Sequence, residues 1–218
     1  MSLDAAPHRE VVHGDALVWL DAHVAPEGAS VITSLPDVSE LQLTLPIWRA
    51  WFVETARKIV RWVPEGGVSV FFQSDIRMSG ALVDKGYLVL RAAEEEGATV
   101  LWHKIVCRRP PGSIALGRPS YSHMIGVVHG AFDPPRKPGP EVLADAGFMP
   151  WSRAMGVTAC QVACRYLIEN TRTRVVVDPY CGKGTALAVA NAMGLDALGV
   201  ELSAKRCRAA RNLAVEIA

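Results

Sequence analysis

Hydrophobic and polar positions alternate along the chain in two rhythms. Short β-branched or apolar runs at Glu10 to His13, Val31 to Thr33, Val68 to Phe72, Val100 to Val106, Met124 to His129, Arg174 to Asp178 and Ala197 to Glu201 give seven strand candidates. A slower rhythm separates them. From Leu45 to Val63 the residues Trp48, Phe52, Ala56, Ile59 and Val63 recur at helical spacing, with Pro46 suited to the first turn. From Thr158 to Asn170, Ala159, Val162, Ala163, Tyr166 and Leu167 form the stripe of a helix lying on a sheet. A further helix runs from Ala186 to Met193, and the chain ends on another. Strands alternating with helices predict an α/β fold: a mostly parallel sheet covered on both faces, with its ligand beyond the carboxyl ends of the strands. The stretches Arg108 to Ser122 and Ala131 to Pro150 break the pattern. They are rich in Pro, Gly and Arg and read as loops.

At 218 residues, half of them hydrophobic and 21% charged, the chain has the composition of a globular protein and is read as one domain. No apolar run is long enough to span a membrane, and the first residues lack the apolar core of a signal peptide, so the cytoplasm is the expected compartment. Cys107, Cys160, Cys164, Cys181 and Cys207 form no Cys-x-x-Cys pair, which points away from a disulfide framework or a zinc site, and no metal is expected. A net charge of +1 excludes a strongly basic nucleic-acid binder, yet charge is concentrated locally. Lys104, Arg108, Arg109 and Arg118 share one stretch. Lys205, Arg206, Arg208 and Arg211 crowd the last helix, where a solvated face explains them.

Candidate chemistry sharpens the picture at residues 174–185, RVVVDPYCGKGT. A hydrophobic strand ends in Asp178, turns through Gly182 and Gly184, and runs into a helix whose N-terminus favours a carboxylate. A second strand ends in Glu201, placed to bind ribose hydroxyls. A phosphate-binding P-loop fails at Val177, where it needs Gly, and at Gly184, where it needs Ser or Thr. A dinucleotide fingerprint lacks its third glycine, since Leu187 stands there.

DPYCGKGT followed by GLDALGVELS resembles the S-adenosylmethionine (SAM) segment of the amino-methyltransferases of DNA and RNA. HGDALVWLDAHVAPEGASVITSLPD, GGVSVFFQSD and LWHKIV resemble the catalytic half of the circularly permuted members, in which the SAM segment comes last. The resemblance covers nearly the whole chain and is weakest from Arg108 to Pro150. It implies a Rossmann-like, seven-stranded, permuted methyltransferase sheet with a catalytic half at 9–130, variable loops at 108–150 and a SAM-binding half at 151–218. It implies that Asp15 contacts the adenine amino group. Asp178, Pro179, Gly182, Gly184 and Thr185 would line the methionine part, Glu201 would hold the ribose, and Thr158 would meet the cofactor carboxylate. Tyr180 and Cys181 are read as packing the turn.

The catalytic tetrapeptide departs from the pattern S-P-P-Y. Ser34-Leu35-Pro36-Asp37 keeps Ser34 and Pro36 but replaces the aromatic, which in the family stacks on a flipped base. Asp37 can accept a hydrogen bond or a proton from an acceptor amine, or serve with Ser39 as a turn or capping residue, but it cannot stack. Trp48, Trp51, Tyr121 and Trp151 are the aromatics open to that role, each with core packing as its simpler reading. No cysteine neighbours Pro36, which disfavours a covalent carbon-methylating route. Of the oppositely directed His103 and Lys104, Lys104 is expected to face the site. Gln73, Asp75, Arg118, Tyr121 and His123 flank strands on the ligand side and are candidate substrate contacts, with ordinary loop roles as the alternative.

Little room remains between Val100 and Gly156 for a DNA-reading insert, and a structured RNA needs less recognition apparatus. The leading expectation is therefore methylation of a base nitrogen in tRNA or rRNA, RNA being favoured over DNA as partner. DNA adenine-N6 or cytosine-N4 methylation is the first alternative. A small-molecule methyltransferase and a non-catalytic SAM-binding module follow.

Overall fold

A computed structural model describes residues 6–134 and 136–217. Residues 1–5, the start of the segment read above for a signal peptide, lie outside the described residues. The chain opens with β1 (Arg9–His13), α1 (Ala16–Ala22), β2 (Ala29–Thr33), the one-turn α2 (Val38–Leu41), α3 (Leu45–Trp62) and β3 (Ser69–Gln73). A small hairpin, β4 (Ile76–Met78) and β5 (Ala81–Val83), leads into α4 (Lys85–Glu95), β6 (Thr99–Cys107) and β7 (Tyr121–Val128). After β8 (Val142–Leu143) come α5 (Val157–Asn170), β9 (Val175–Asp178), α6 (Thr185–Ala192), β10 (Asp196–Glu201) and α7 (Ala204–Asn212).

The large sheet runs β1-β10-β9-β2-β3-β7-β6-β8. Its first five strands are mutually parallel, and β7 is antiparallel to both β3 and β6. All seven expected strands are present within a residue or three. The sheet nevertheless has eight strands, because Val142 and Leu143 pair with the outer edge of β6 inside a stretch read as loop. Two residues carry no alternation to read, so only the neighbouring edge defines that strand. The β4–β5 hairpin was likewise not anticipated; it turns through Ser79 and Gly80, both at positive φ.

Strand residues alternate between two apolar layers, as the pleat requires. Ile32, Val70 and Val176 join α5 and α6 on one face, while Val31, Phe71 and Val177 join α3 and α4 on the other. The predicted stripe of α3 is the seam of the second layer: Trp48, Phe52, Ala56 and Ile59 are wholly buried. Burying such side chains contributes about 1.5–3 kcal/mol each. The N-terminal strand closes the permuted order by adding to the outer edge of β10. The Arg9 guanidinium fastens it there, donating to the carbonyls of Ala210 and Leu213 at 3.0 and 2.6 Å.

Candidate active site

Strand order reverses between β9 and β2, and a cleft of about 580 Å³ opens there beyond the carboxyl ends of the strands. Such a switch point is where open α/β sheets bind ligands, and the volume suits a small molecule or cofactor. The loops after β1, β2, β3, β6, β9 and β10 all contribute to it.

At one end the cleft is acidic. Asp178 finishes β9 fully buried and accepts from the Thr33 hydroxyl at 2.7 Å and the Tyr180 amide at 3.1 Å. Burial outweighs these two bonds and pushes its carboxyl up to about 7, with Glu201 adding like-charge repulsion. Glu201 ends β10 and accepts from the Ser203 amide at 2.8 Å. Asp15 caps α1, accepting from the amides of Leu17 and Val18. Between these acids the β9–α6 turn lines the cleft. Gly182 has φ +56°, and a Cβ there would lie 3.0 Å from the Trp151 ring. That ring in turn donates from Nε1 to Thr185 Oγ1 at 3.3 Å. Asp15, Asp178, Pro179, Gly182, Thr185 and Glu201 therefore line one space, together with Tyr180 and Cys181. Burial and the two nearby acids push the Cys181 thiol up, which makes it a poor nucleophile. Three carboxylates beside an accessible glycine turn fit a nucleoside with hydroxyls and a cationic arm.

Two expected cofactor residues lie elsewhere. Gly184, at φ +83°, turns toward α7, where a Cβ would meet the backbone and side chain of Ala210 at 2.9 Å. It allows two helices to pack and does not line the cleft. Thr158 is exposed on the first turn of α5. Amides of that turn are already taken: Val157 donates to the Phe148 carbonyl and Ala159 to that of Ala146. The 146–148 loop thus covers the N-terminus of α5, where the expected cofactor carboxylate would have to sit.

The opposite end is basic. Ser34, Leu35, Pro36 and Asp37 form the corner after β2, and the Pro36 carbonyl accepts from Trp48 Nε1 at 3.1 Å. Asp37 is buried at the N-cap of α2, in a capping box with Glu40. Its Oδ1 accepts a short hydrogen bond from Lys85 Nζ, and its Oδ2 one from Arg118 Nη2 at 2.8 Å. With both oxygens held by cations, Asp37 is a counterion and cap before it is an acceptor for substrate. Burial pulls the Lys85 ammonium down, and Asp37 offsets this in part. Arg153 pairs with Glu40 at 2.6 Å, and Arg108 donates to Ser74 Oγ at 2.8 Å. Of the candidate aromatics, Trp51 and Trp151 line the cleft, Trp48 is core, and Tyr121 stands outside.

Four further candidates form a separate cluster. His123 hydrogen-bonds through Nε2 to Asp75 Oδ2 at 3.0 Å and through Nδ1 to His103 Nε2 at 2.8 Å, with Tyr121 edge-on to its ring. Gln73 faces His123 across β3 and β7 and is fully buried, with no hydrogen-bond partner for its amide among the described residues. None of these residues lines the cleft; of the candidate substrate contacts Arg118 does. Lys104 also points away: Nζ donates to the carbonyls of Gly139 and Pro140, anchoring the loop before β8. His103 takes the opposite face, toward His123. Asp75, Asp84 and His123 bring ligand atoms within 4.8 Å of one another, a grouping that the Asp75–His123 hydrogen bond already accounts for.

No protein-family model and no curated protein matches the sequence. Solved structures do share the architecture. One is a proposed DNA modification methylase of Thermus thermophilus, solved with S-adenosyl-L-methionine. It is 21% identical, covering 93% of this chain and 92% of its own, with a TM-score of 0.70. The cytosine-N4-specific PvuII DNA methyltransferase is 16% identical, covering 98% and 89%, with a TM-score of 0.71. The M1.HpyAVI–SAM complex is 13% identical, covering 94% and 100%, with a TM-score of 0.62. The chain has the methyltransferase fold.

Within that methyltransferase fold, sequence reasoning missed Lys85, Glu40 and Arg153. Lys85 opens α4 behind its cap Asp84, which in sequence looks like any solvated helix start. Arg153 and Glu40 lie 113 positions apart, and no local pattern joins them.

Proposed function

We propose that the protein is a SAM-dependent methyltransferase acting on an amino nitrogen of a DNA base. One observation carries the reading: a single cleft joins the acid-rimmed glycine turn after β9 to the Ser34–Pro36 corner after β2. Glu201 and Asp15 suit ribose hydroxyls and the adenine amino group, and Asp178 with the Gly182 backbone suits the amino-acid arm. Bound there, SAM supplies an electrophilic methyl group. The Ser34 hydroxyl and the Pro36 carbonyl accept hydrogens of the acceptor amine and so aim its lone pair, with positioning providing most of the catalysis. Trp48 Nε1 fixes the Pro36 carbonyl for that task. Trp51, which lines the cleft and meets Tyr180 edge-on at 6.1 Å, takes the place of the missing tetrapeptide aromatic.

DNA is preferred here over the RNA expected from sequence for two reasons. Two of the proteins that share the fold are named for DNA, and Arg118 and Arg153 of the 108–156 segment line the cleft, where they could serve to recognise it. Incubation with methyl-labelled SAM and, in turn, genomic DNA, total RNA and a metabolite extract tests this. Label is expected in DNA; label confined to RNA or to metabolites refutes the acceptor assignment.

A further inference from the structure

We propose that Arg118 and Arg153 are exchangeable cations: they leave Asp37 and Glu40 to bind backbone phosphates of the DNA strand whose base enters the cleft, beside a fixed Arg108. This rests on the methyltransferase reading and adds the residues that grip the acceptor.

The helix α2 has four residues. Its two acids already have partners within the fold. Asp37 is held by Lys85, and Glu40 Oε2 accepts from the Asp37 amide at 2.9 Å. Each acid nevertheless carries one arginine more, and the two arginines come from different loops, Arg118 from before β7 and Arg153 from before α5. Their exposures separate the fixed cation from the movable ones. The Lys85 side chain is 4% exposed, so withdrawing it would strand a buried carboxylate. Arg118 and Arg153 are 47% and 48% exposed, and ion pairs of that kind contribute little net stability.

Departure of either arginine also leaves no orphan. Asp37 keeps its ammonium partner, and Glu40, 28% exposed, is reached by water. Arg108 is the complement to this pair. It is half-buried just after β6; its guanidinium makes no ion pair among the described residues and donates to Ser74 Oγ. Arg118 lies near enough to repel it, and Asp37, the present partner of Arg118, attracts it in part. A phosphate between Arg108 and Arg118 would relieve that repulsion, and guanidinium groups match phosphate in two-pronged geometry. The rim thus has cations in place before substrate arrives, two of them neutralised by internal carboxylates that a phosphate can replace.

Counterion release provides the test. Each arginine–phosphate contact with duplex DNA steepens the dependence of log K on log salt concentration by about 0.9. Binding of a short fluorescent duplex is measured by anisotropy across a salt series, for the unaltered protein and for Arg118→Ala, Arg153→Ala and the double variant. The slope should fall by about 0.9 in each single variant and about 1.8 in the double. Calorimetry should give the same SAM affinity throughout. Arg118→Lys should keep the slope, since it retains the charge; a purely structural arginine would not be rescued this way. Arg172→Ala, before β9 at the opposite end of the sheet, should leave the slope unchanged. Wild-type slopes in both single variants, with DNA still bound, overturn the inference alone. An unaltered protein that binds SAM but no DNA overturns the DNA reading and this inference with it.

Discussion

The two ends of the cleft are built on opposite principles. At the end proposed to take the cofactor, three strand-end or cap acids, Asp15, Asp178 and Glu201, stand around the Gly182 turn, and two of them share one stretch of chain with it. At the end proposed to take the acceptor, acids and bases mix: Asp37, Glu40, Lys85, Arg108, Arg118 and Arg153 are gathered from the corner after β2 and α2, the start of α4, the loop after β6 and the loop before α5. The first end is acidic and the second, on balance, basic. Acids set around a glycine turn are left for a ligand to neutralise, whereas charges that neutralise one another depend on every partner that is buried.

That contrast is broken most severely at Lys85. Replacing it by Met leaves Asp37 buried without its ammonium, and the loss of stability should reach about 3–5 kcal/mol in chemical denaturation. Lys85→Met combined with Asp37→Leu should recover much of it. Near-normal stability in the single variant would show that the pair is not a buried ion pair in solution.

Next in size, Glu201→Ala should weaken SAM binding about ten- to a hundredfold by calorimetry, the worth of a charge-assisted hydrogen bond. DNA affinity should be preserved, since the change lies at the other end of the cleft. Equal losses for both ligands would contradict the division.

A smaller, graded effect is expected from pH. The Asp178 carboxyl is raised to about 7 in the fold and titrates near 3.8 when unfolded. Between those values the folded state holds the extra proton, so the stability of the ligand-free protein should fall as pH rises from about 4 to 7. A cationic cofactor arm favours the ionised form, so SAM affinity should rise over the same window, at most about tenfold per pH unit, and level off above it. Asp178→Asn should flatten both profiles.

The smallest change belongs to Arg118→Ala, which should lower stability by less than about 1 kcal/mol because the arginine is half exposed. Thermal melting beside Lys85→Met sharpens the distinction between the fixed and the movable cation.

Much of this was readable in advance. The seven strands and the α3 and α5 stripes follow from periodicity, because one face of each element is buried. That Asp178 and Glu201 end strands and that Gly182 makes a turn was legible, since these are local features; what they bind stays a proposal. Lys104 was misassigned because alternation tells which residues oppose each other but not which face holds the cleft. Gly184 and Thr158 were misplaced because what they meet, α7 and the 146–148 loop, is remote in sequence. No described helix is long and apolar enough to cross a membrane, in line with the absence of an apolar run.

By itself the sequence determined the order of elements, the late placement of the glycine turn after β9 and the acids at its rim. Those depend on φ, ψ and side-chain period among adjacent residues. Only the tertiary structure decided that Asp37, 48 positions from Lys85 and 81 from Arg118, is a neutralised counterion. Charge pairing acts through space, and a carboxylate's partner is whichever cation the fold brings within reach.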